Sequence, residues 1–488
     1  MKHKGLSVLL LLFGTVLAAQ TRETQPINLQ DVMAWTIAEM PCHRLVRIVQ
    51  ERGVTDVPDK EQIHQLESAG ADASVIQALK NLKKSAGAKM PAAPAFPEFL
   101  LQAAAEAHLQ HFHQAEMALR QGLVSDSKNA SLHFALSAML RQQESWDDAF
   151  DEITLSAELM PDLPENHSSL SYIFYRLDDG PNAIAEARTA LSMDPQNAEA
   201  YQFLGLGLYS TGQYGAAVHA FQESLARDKA NADTYYDMGI ALHADGNAAA
   251  GIAAYQQSIH LNPDYWQAHS NLALIFHEQG KLDEAIAEYR EAKRLAPGEA
   301  SVRNNLGNTY CDKGDFDAAL LELGELYHQH PEWDQGHSCM ARAYLSKHDL
   351  SDAISELELA VRQNPTSSPE HRVLGETMLM EDKVEEGLRE LRLAVALNPD
   401  SDSAHHALGT ALFQQEKLQA AEKEFREALR LNASPENHYA LAACLMTMDR
   451  YEEALSELEI AARLDPEQKL YGARRDELLK LMKETESR

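Results

Sequence analysis

The chain is poor in the residues that usually announce chemistry. Its 488 residues include four cysteines, Cys42, Cys311, Cys339 and Cys444, none close in sequence to another. A large helical array needs no disulfide framework, and packing as small apolar side chains is expected for them; a bridge between Cys311 and Cys339, in adjacent repeats, is the alternative. Leu6–Leu17 falls short of the about 20 apolar residues that cross a bilayer, and no other segment is apolar enough to do so. There is no phosphate loop, no dinucleotide glycine pattern, no nucleophile elbow and no HExxH zinc motif. No cofactor and no catalytic residue are therefore expected. Positive charge is also short: 43 Lys and Arg face 74 Asp and Glu, for a formal net charge of −31. A field of that sign repels nucleic acid and anionic lipid.

The amino terminus stands apart. Lys2 and Lys4 precede the run Leu6–Leu17, and Val16-Leu17-Ala18 places small residues before a cut at Ala19. Residues 1–18 read as a secretory signal peptide. An uncleaved anchor is the alternative, for which a run of about a dozen residues is short. The mature protein is expected to be exported, periplasmic or secreted, with no membrane insertion after cleavage.

Most of what remains repeats every 34 residues. Small residues align in one column at Ser137, Ser171, Gly205, Gly239, Ala273, Gly307, Ala341, Gly375, Gly409 and Ala442. A second column, twelve residues later, holds Ala149, Ala183, Ala217, Gly251, Ala285, Ala319, Ala353, Gly387, Ala421 and Ala454. A third is mostly proline, from Pro161 to Pro466, with Lys229 and Ala433 as exceptions. A fixed period of this length means a repeat array. In one unit, Ala200–Tyr209 is apolar enough for a helix, Thr211-Gly212-Gln213 breaks it, and Tyr214–Arg227 makes a second. Leu204, Leu208, Val218, Phe221 and Leu225 recur at helical spacing as a buried stripe. The small columns let two helix backbones approach, and the proline stops the second helix. One hairpin cannot bury both faces, so neighbours must stack.

The pattern, clearest in Asn271–Pro297 and Asn305–Pro331, resembles the tetratricopeptide repeat family. The resemblance implies an all-α fold, an α-solenoid with a right-handed superhelix. Ten repeats span 130–468. Residues 96–129 read as a degenerate eleventh, in which Ala103 and Ala115 keep the small positions while Gln102 and Glu106 spoil the stripe. Residues 469–488 read as a capping helix, with Leu470, Leu478, Leu481 and Met482 covering the last repeat. Ahead of the array, residues 25–84 read as a small helical domain of four short helices. Asn28, Asp59 and Asp72 suit helix starts, and Gly53 and Gly70 suit helix ends. The unit is similar to a helical module found ahead of repeats in some bacterial exported proteins. Residues 85–97, rich in alanine and proline, read as an extended semi-rigid linker.

Residues 20–95 carry nine acids and nine bases, so the whole negative excess falls on the repeats and cap. Two readings stay open: a basic partner, or a solvated surface that keeps a long array soluble. Acids such as Glu356, Glu358, Glu385, Glu386, Glu422, Glu424 and Glu427 fall on the outer faces of second helices, where solvated carboxylates are expected. Seven of the 21 histidines share one column: His133, His167, His269, His337, His371, His405 and His438, with Tyr201, Tyr235 and Arg303 in the remaining places. Equivalent sites in successive hairpins lie about 10 Å apart, whereas zinc ligands must each reach ~2 Å. The column by itself cannot hold a metal, and each ring is expected to pack between helices and use its nitrogens locally; His111-Phe112-His113 and His328-Gln329-His330 are the weak local alternatives.

The functional signal lies in what does not repeat. Three first-helix columns at i, i+4 and i+7 share a face, which in tetratricopeptide arrays lines the concave groove. It begins aromatic, with Phe134, Tyr172, Tyr175, Tyr209 and Tyr236, continues through His243 and His277, and turns polar at Asn304, Asn308 and Arg342. Aromatics with a polar handle serve as binding anchors. Family members that clamp acidic chain ends use a lysine and asparagine set, which Asn308 and Arg342 match only in part. The implied function is a non-enzymatic scaffold binding a protein or peptide in the groove. The alternative is an accessory subunit of a glycosyltransferase, secretion or envelope-assembly complex, because Trp266–Glu299 is also similar to repeats fused to sugar-transferring enzymes. Oligomeric state is not legible.

Overall fold

A computed structural model describes residues 26–85 and 91–486. The signal segment 1–18 lies outside the described residues. All regular structure among them is helical, and the chain divides into two compact units, 1–261 and 262–488.

The first unit opens with four short helices: α1 (Leu29–Ile37), α2 (Cys42–Arg52), α3 (Lys60–Ser68) and α4 (Ala73–Ser85). Their starts follow the expected caps. Asn28 and Asp31 exchange bonds in a capping box, and Asp59 does the same with Gln62. Each such cap stabilises its helix by about 1 kcal/mol. Hairpins follow, with first helices α5 (Glu98–His108), α7 (Ala130–Gln142), α9 (Pro164–Arg176), α11 (Ala198–Ser210) and α13 (Ala232–Ala244). Their second helices are α6 (Phe112–Ser125), α8 (Trp146–Leu159), α10 (Gly180–Met193), α12 (Tyr214–Arg227) and α14 (Ala248–Leu261).

In the second unit the first helices are α15 (Trp266–Glu278), α17 (Ala300–Lys313), α19 (His337–Ser346), α21 (Ser368–Met380), α23 (Asp402–Gln414) and α25 (Pro435–Thr447). Between them run α16 (Leu282–Leu295), α18 (Phe316–Gln329), α20 (Leu350–Gln363), α22 (Val384–Leu397), α24 (Leu418–Leu431) and α26 (Tyr451–Leu464); α27 (Lys469–Glu486) closes the chain. The cap differs in detail from expectation. Leu478 and Tyr471 are buried against the last hairpin, while Leu470 and Leu481 are exposed.

Small residues do what the columns require. A Cβ on Gly307 would stand 2.7 Å from Leu323, sixteen residues on, and Gly375 and Gly387 face each other closely enough that a Cβ on either would meet the other's carbonyl at 2.8 Å. Where serine replaces glycine, its hydroxyl donates across the same seam: Ser137 to the Ala149 carbonyl at 2.8 Å and Ser171 to Ala183 at 2.7 Å. The turn within each hairpin repeats too. Gln110, Glu144, Asp178, Gly212, Gly246, Gly280, Gly314, His348, Asp382, Glu416 and Asp449 all have positive φ.

The histidine column explains itself by a second column nineteen residues later. His133, His167, His269, His337, His371, His405 and His438 each set Nδ1 within 2.5–2.7 Å of Glu152, Glu186, Glu288, Glu356, Glu390, Glu424 and Glu457 respectively. Arg303 keeps the pattern with Glu322 at 3.2 Å. Tyr201 and Tyr235 face alanine at the partner place, Ala220 and Ala254. The two columns therefore vary together. Glu356 and Glu424, expected as solvated outer-face acids, are instead histidine partners with side chains only 16% and 15% exposed. In four pairs the other ring nitrogen reaches a backbone carbonyl: Ser127, Pro263, Pro365 or Pro399. In two of these, His133 and His269, burial pulls the ring down, but the glutamate and the carbonyl hold it above its ordinary value.

Candidate functional site: the inner face of the first helices

Within each unit, first helices touch in succession: α9 with α11 and α11 with α13, then α15 with α17, α17 with α19, α21 with α23 and α23 with α25. Successive second helices make no comparable contact. First helices thus line the tighter, inner side of the stack.

In the first unit that side is partly occupied by the chain itself. Helix α1 packs on α5 and α7, and Trp35, Met33 and Val32 join one core with Phe134, Leu136 and Leu170. Asp31 accepts a bond from Ser131 at 2.7 Å. Helix α2 presents a row of arginines to acids of the array. Arg44 donates to Glu165 (Nε at 2.8 Å) and pairs with Asp194; Arg47 reaches Asp194 at 2.7 Å and Arg52 reaches Asp162 at 3.2 Å. Arg44, Glu165 and Asp194 are buried. Residues 91–97, expected as a spacer, are also tied down. Val57 and Ala92 form a bridge, Gln62 donates to the Pro94 carbonyl, and Phe96 is buried. The amide ladder and the phenylalanine fix a segment that composition alone presents as extended.

The sites expected from sequence separate accordingly. Phe134 is 6% exposed beneath α1 and lines no open surface, because the module covers it. Tyr172, Tyr175, Tyr209 and Tyr236, on α9, α11 and α13, remain partly exposed. Tyr172 lies 5.0 Å from Phe203 and 6.3 Å from Tyr175, while Tyr209 turns toward Tyr214 at 5.5 Å and Tyr236 toward Tyr255 at 5.9 Å. Arg176 stacks over Trp146 at 4.2 Å and donates to the Tyr172 hydroxyl at 3.2 Å.

Four polar groups join this strip that the aromatic columns did not single out: Asp237, Gln202, Glu199 and Arg141. Asp237 accepts a bond from Gln202 at 2.8 Å. It sits deep among inner-side atoms yet keeps partial solvent access. Burial pushes its carboxyl up to about 7, Gln202 pulls against that, and Asp233 adds to it. Asp237 in turn helps burial to raise the Tyr175 hydroxyl. Glu199 is raised by burial as well, against the pull of Arg141 and Arg44. Gln202 and Arg141 stand in the very columns that vary. Asp237 is the one acid in a column otherwise filled by residues such as Ala135, Phe203, Cys339 and Val373, and that was the available signal.

In the second unit the polar residues bond to one another. His277 Nε2 meets Asp312 at 3.0 Å, and Arg342 donates to the same carboxylate at 2.9 Å. Burial works to raise Asp312, but these bonds hold it below the usual carboxylate range. Asn308 is half-buried. Asn304, expected on the groove surface, is 5% exposed. Helix α19 starts late, at His337, and the irregular stretch before it passes over Asn304, whose Oδ1 would lie 3.1 Å from a Cβ on Gly336. His243 is half-buried on α13 of the first unit.

Family models for the tetratricopeptide repeat match residues 170–233, 236–300 and 276–343, and one described as anaphase-promoting complex, cyclosome, subunit 3 matches 390–461. Residues 170–343 therefore carry tetratricopeptide repeats. No curated protein matches the sequence. Among solved structures the chain is similar to yeast Tom70, at 14% identity over 78% of this chain and 95% of that one, with a TM-score of 0.34. PilF of Pseudomonas aeruginosa gives 18%, 41%, 92% and 0.37 in the same order. YrrB, described as a TPR protein with an unusual peptide-binding site, gives 22%, 40%, 97% and 0.33.

Proposed function

We propose that this chain is a non-enzymatic scaffold that binds a protein or peptide on the inner face of its first helices. The observation that carries this reading is the strip Tyr172, Tyr175, Tyr209 and Tyr236. It stays partly exposed on consecutive first helices immediately beyond the stretch that the amino-terminal module covers. Partly wet tyrosines offer large apolar area with a polar handle and little rotamer entropy to lose. The contacting surface of the partner is basic, in keeping with the net charge of −31 concentrated on the repeats. Export, read from residues 1–18, places the encounter outside the cytoplasm.

The test is a pull-down by the mature chain from its own exported fraction, followed by titration of the recovered partner. Tyr172→Ala or Tyr236→Ala is expected to weaken binding at least about thirtyfold, which is ~2 kcal/mol. Asn308→Ala and Arg342→Ala are expected to change it little. The reverse ranking would move the working face to the second unit and leave the tyrosines as packing.

A further inference from the structure

We infer that the inner face of α9, α11 and α13 contains a box for an arginine side chain of the partner, formed by the Asp237 carboxylate with Tyr172, Tyr175 and Tyr209 around it. The inference rests on the reading that the partner binds this face, and it names the group that is recognised.

Four observations lead to it. First, Asp237 has no cation. Its Oδ2 takes the Gln202 amide, and no ion pair with Asp237 occurs among the described residues. Two arginines of the chain lie on this face, and neither bonds Asp237: Arg176 lies over Trp146 and bonds Tyr172, and Arg141 lies over the Tyr172 ring at 5.9 Å. Second, the surroundings are aromatic. Gln202, which holds Asp237, precedes Phe203, whose ring lies 5.0 Å from Tyr172; Tyr172 lies 6.3 Å from Tyr175, and Tyr209 follows Gln202 two turns along α11. A carboxylate beside tyrosine faces suits a planar cation, which can stack and donate at once.

Third, the same unit already uses this chemistry. Helix α2 brings Arg44, Arg47 and Arg52 to Glu165, Asp194 and Asp162, on the stretch that borders the box. The box thus continues an interface that the chain makes with itself, by the same pairing of arginine with buried acid. Arg227 over Tyr201 at 4.1 Å shows that arginine stacks readily on the tyrosines of these repeats. Fourth, the charge complements. A buried carboxylate without a counter-charge destabilises the free protein, and a guanidinium brought by a ligand relieves that and makes charge-assisted bonds.

The experiment uses the full mature chain and three capped peptides, Ala-Arg-Ala, Ala-Lys-Ala and Ala-citrulline-Ala, titrated by saturation-transfer NMR. Citrulline keeps the shape of arginine and loses its charge. The arginine peptide is expected to bind, the citrulline peptide at least ~tenfold more weakly, and Asp237→Asn to lose a similar factor. Glu158→Gln, which removes the same charge from an exposed position in the same unit, is expected to leave binding unchanged. Tyr175→Phe keeps the ring and should retain binding, whereas Tyr175→Ala should not. Equal losses in Asp237→Asn and Glu158→Gln would reduce the effect to diffuse attraction and overturn the box. So would equal binding of the citrulline peptide, or of the lysine peptide, which would remove the choice of arginine. A partner that depends on Tyr172 and Tyr236 but binds Asp237→Asn normally sinks the box and spares the face. A partner indifferent to the tyrosines sinks the proposed face itself.

Discussion

In the first unit the inner helices carry Tyr172, Tyr175, Tyr209 and Tyr236 near a carboxylate, Asp237, that forms no ion pair among the described residues. In the second unit the same columns carry His277, Asn308 and Arg342, and a single carboxylate, Asp312, takes bonds from two of them. Further along, Arg372 bonds Glu376 and His406 bonds Asn437. A polar inner face that satisfies itself behaves as mortar between hairpins. A face that leaves a carboxylate without a cation is the one where we propose that a partner supplies it. Variation between repeats therefore has two meanings, and bond accounting separates them where sequence columns cannot.

The largest expected effect tests how the first unit holds its module. Arg44→Ala leaves Glu165 and Asp194 buried without their common cation, which costs about 3–5 kcal/mol. Limited proteolysis should then cut between residues 25 and 97 well before it attacks the second unit; an unchanged digestion pattern would mean that the arginine row does not seat the module. Next comes Gly307→Leu. A side chain there meets Leu323, and overpacking costs about 1–3 kcal/mol. The damage should concentrate in neighbouring hairpins of the second unit, and hydrogen exchange confined elsewhere would contradict it.

The histidine pairs give a smaller, pH-dependent effect in both units. Burial works to lower His133 and His269, but their glutamates and carbonyls win and hold both rings above the ordinary value. A raised histidine contributes stability that is fully present below the unfolded value of about 6.5 and is lost as pH rises through the folded one. Asp237, raised to about 7, also loses stability for the fold as pH climbs toward neutrality. Melting temperature should thus fall between pH 6 and pH 8.5, with a shallower slope in His133→Gln/His269→Gln. An equal slope in that variant would assign the whole dependence to other groups. The smallest effect is a gain. His348 is exposed with φ of 59°, so His348→Gly should relieve up to about 1 kcal/mol of left-handed strain. A lower melting temperature would mean that the imidazole makes a contact worth more than the strain.

Much of the fold was legible because the period repeats one set of packing demands. The break at Thr211-Gly212-Gln213 falls between α11 and α12, and Gly307 faces the second helix as its column requires. The local use of the histidine nitrogens followed from helix spacing. Their partners did not, since Glu356 and Glu424 look like any outer-face acid until the column nineteen residues upstream is read beside them. The seating of the module was illegible for another reason. Arg44 meets Glu165 and Asp194 across 121 and 150 residues, and no periodicity links the two segments. The candidate site was half legible. Tyrosines stood out by type, whereas Asp237 stands one place outside the three columns that vary.

The seam between paired helices is not the same everywhere. Histidine and glutamate close it in seven repeats, but the two repeats that carry Tyr209, Tyr236 and Asp237 close it with Tyr201 facing Ala220 and Tyr235 facing Ala254. Those two joints hold neither the imidazole nor the carboxylate. Tyr172 and Tyr175, by contrast, stand on α9, whose hairpin is closed by His167 and Glu186. In that stretch the response to pH passes from the joints between helices to the inner face itself, through Asp237.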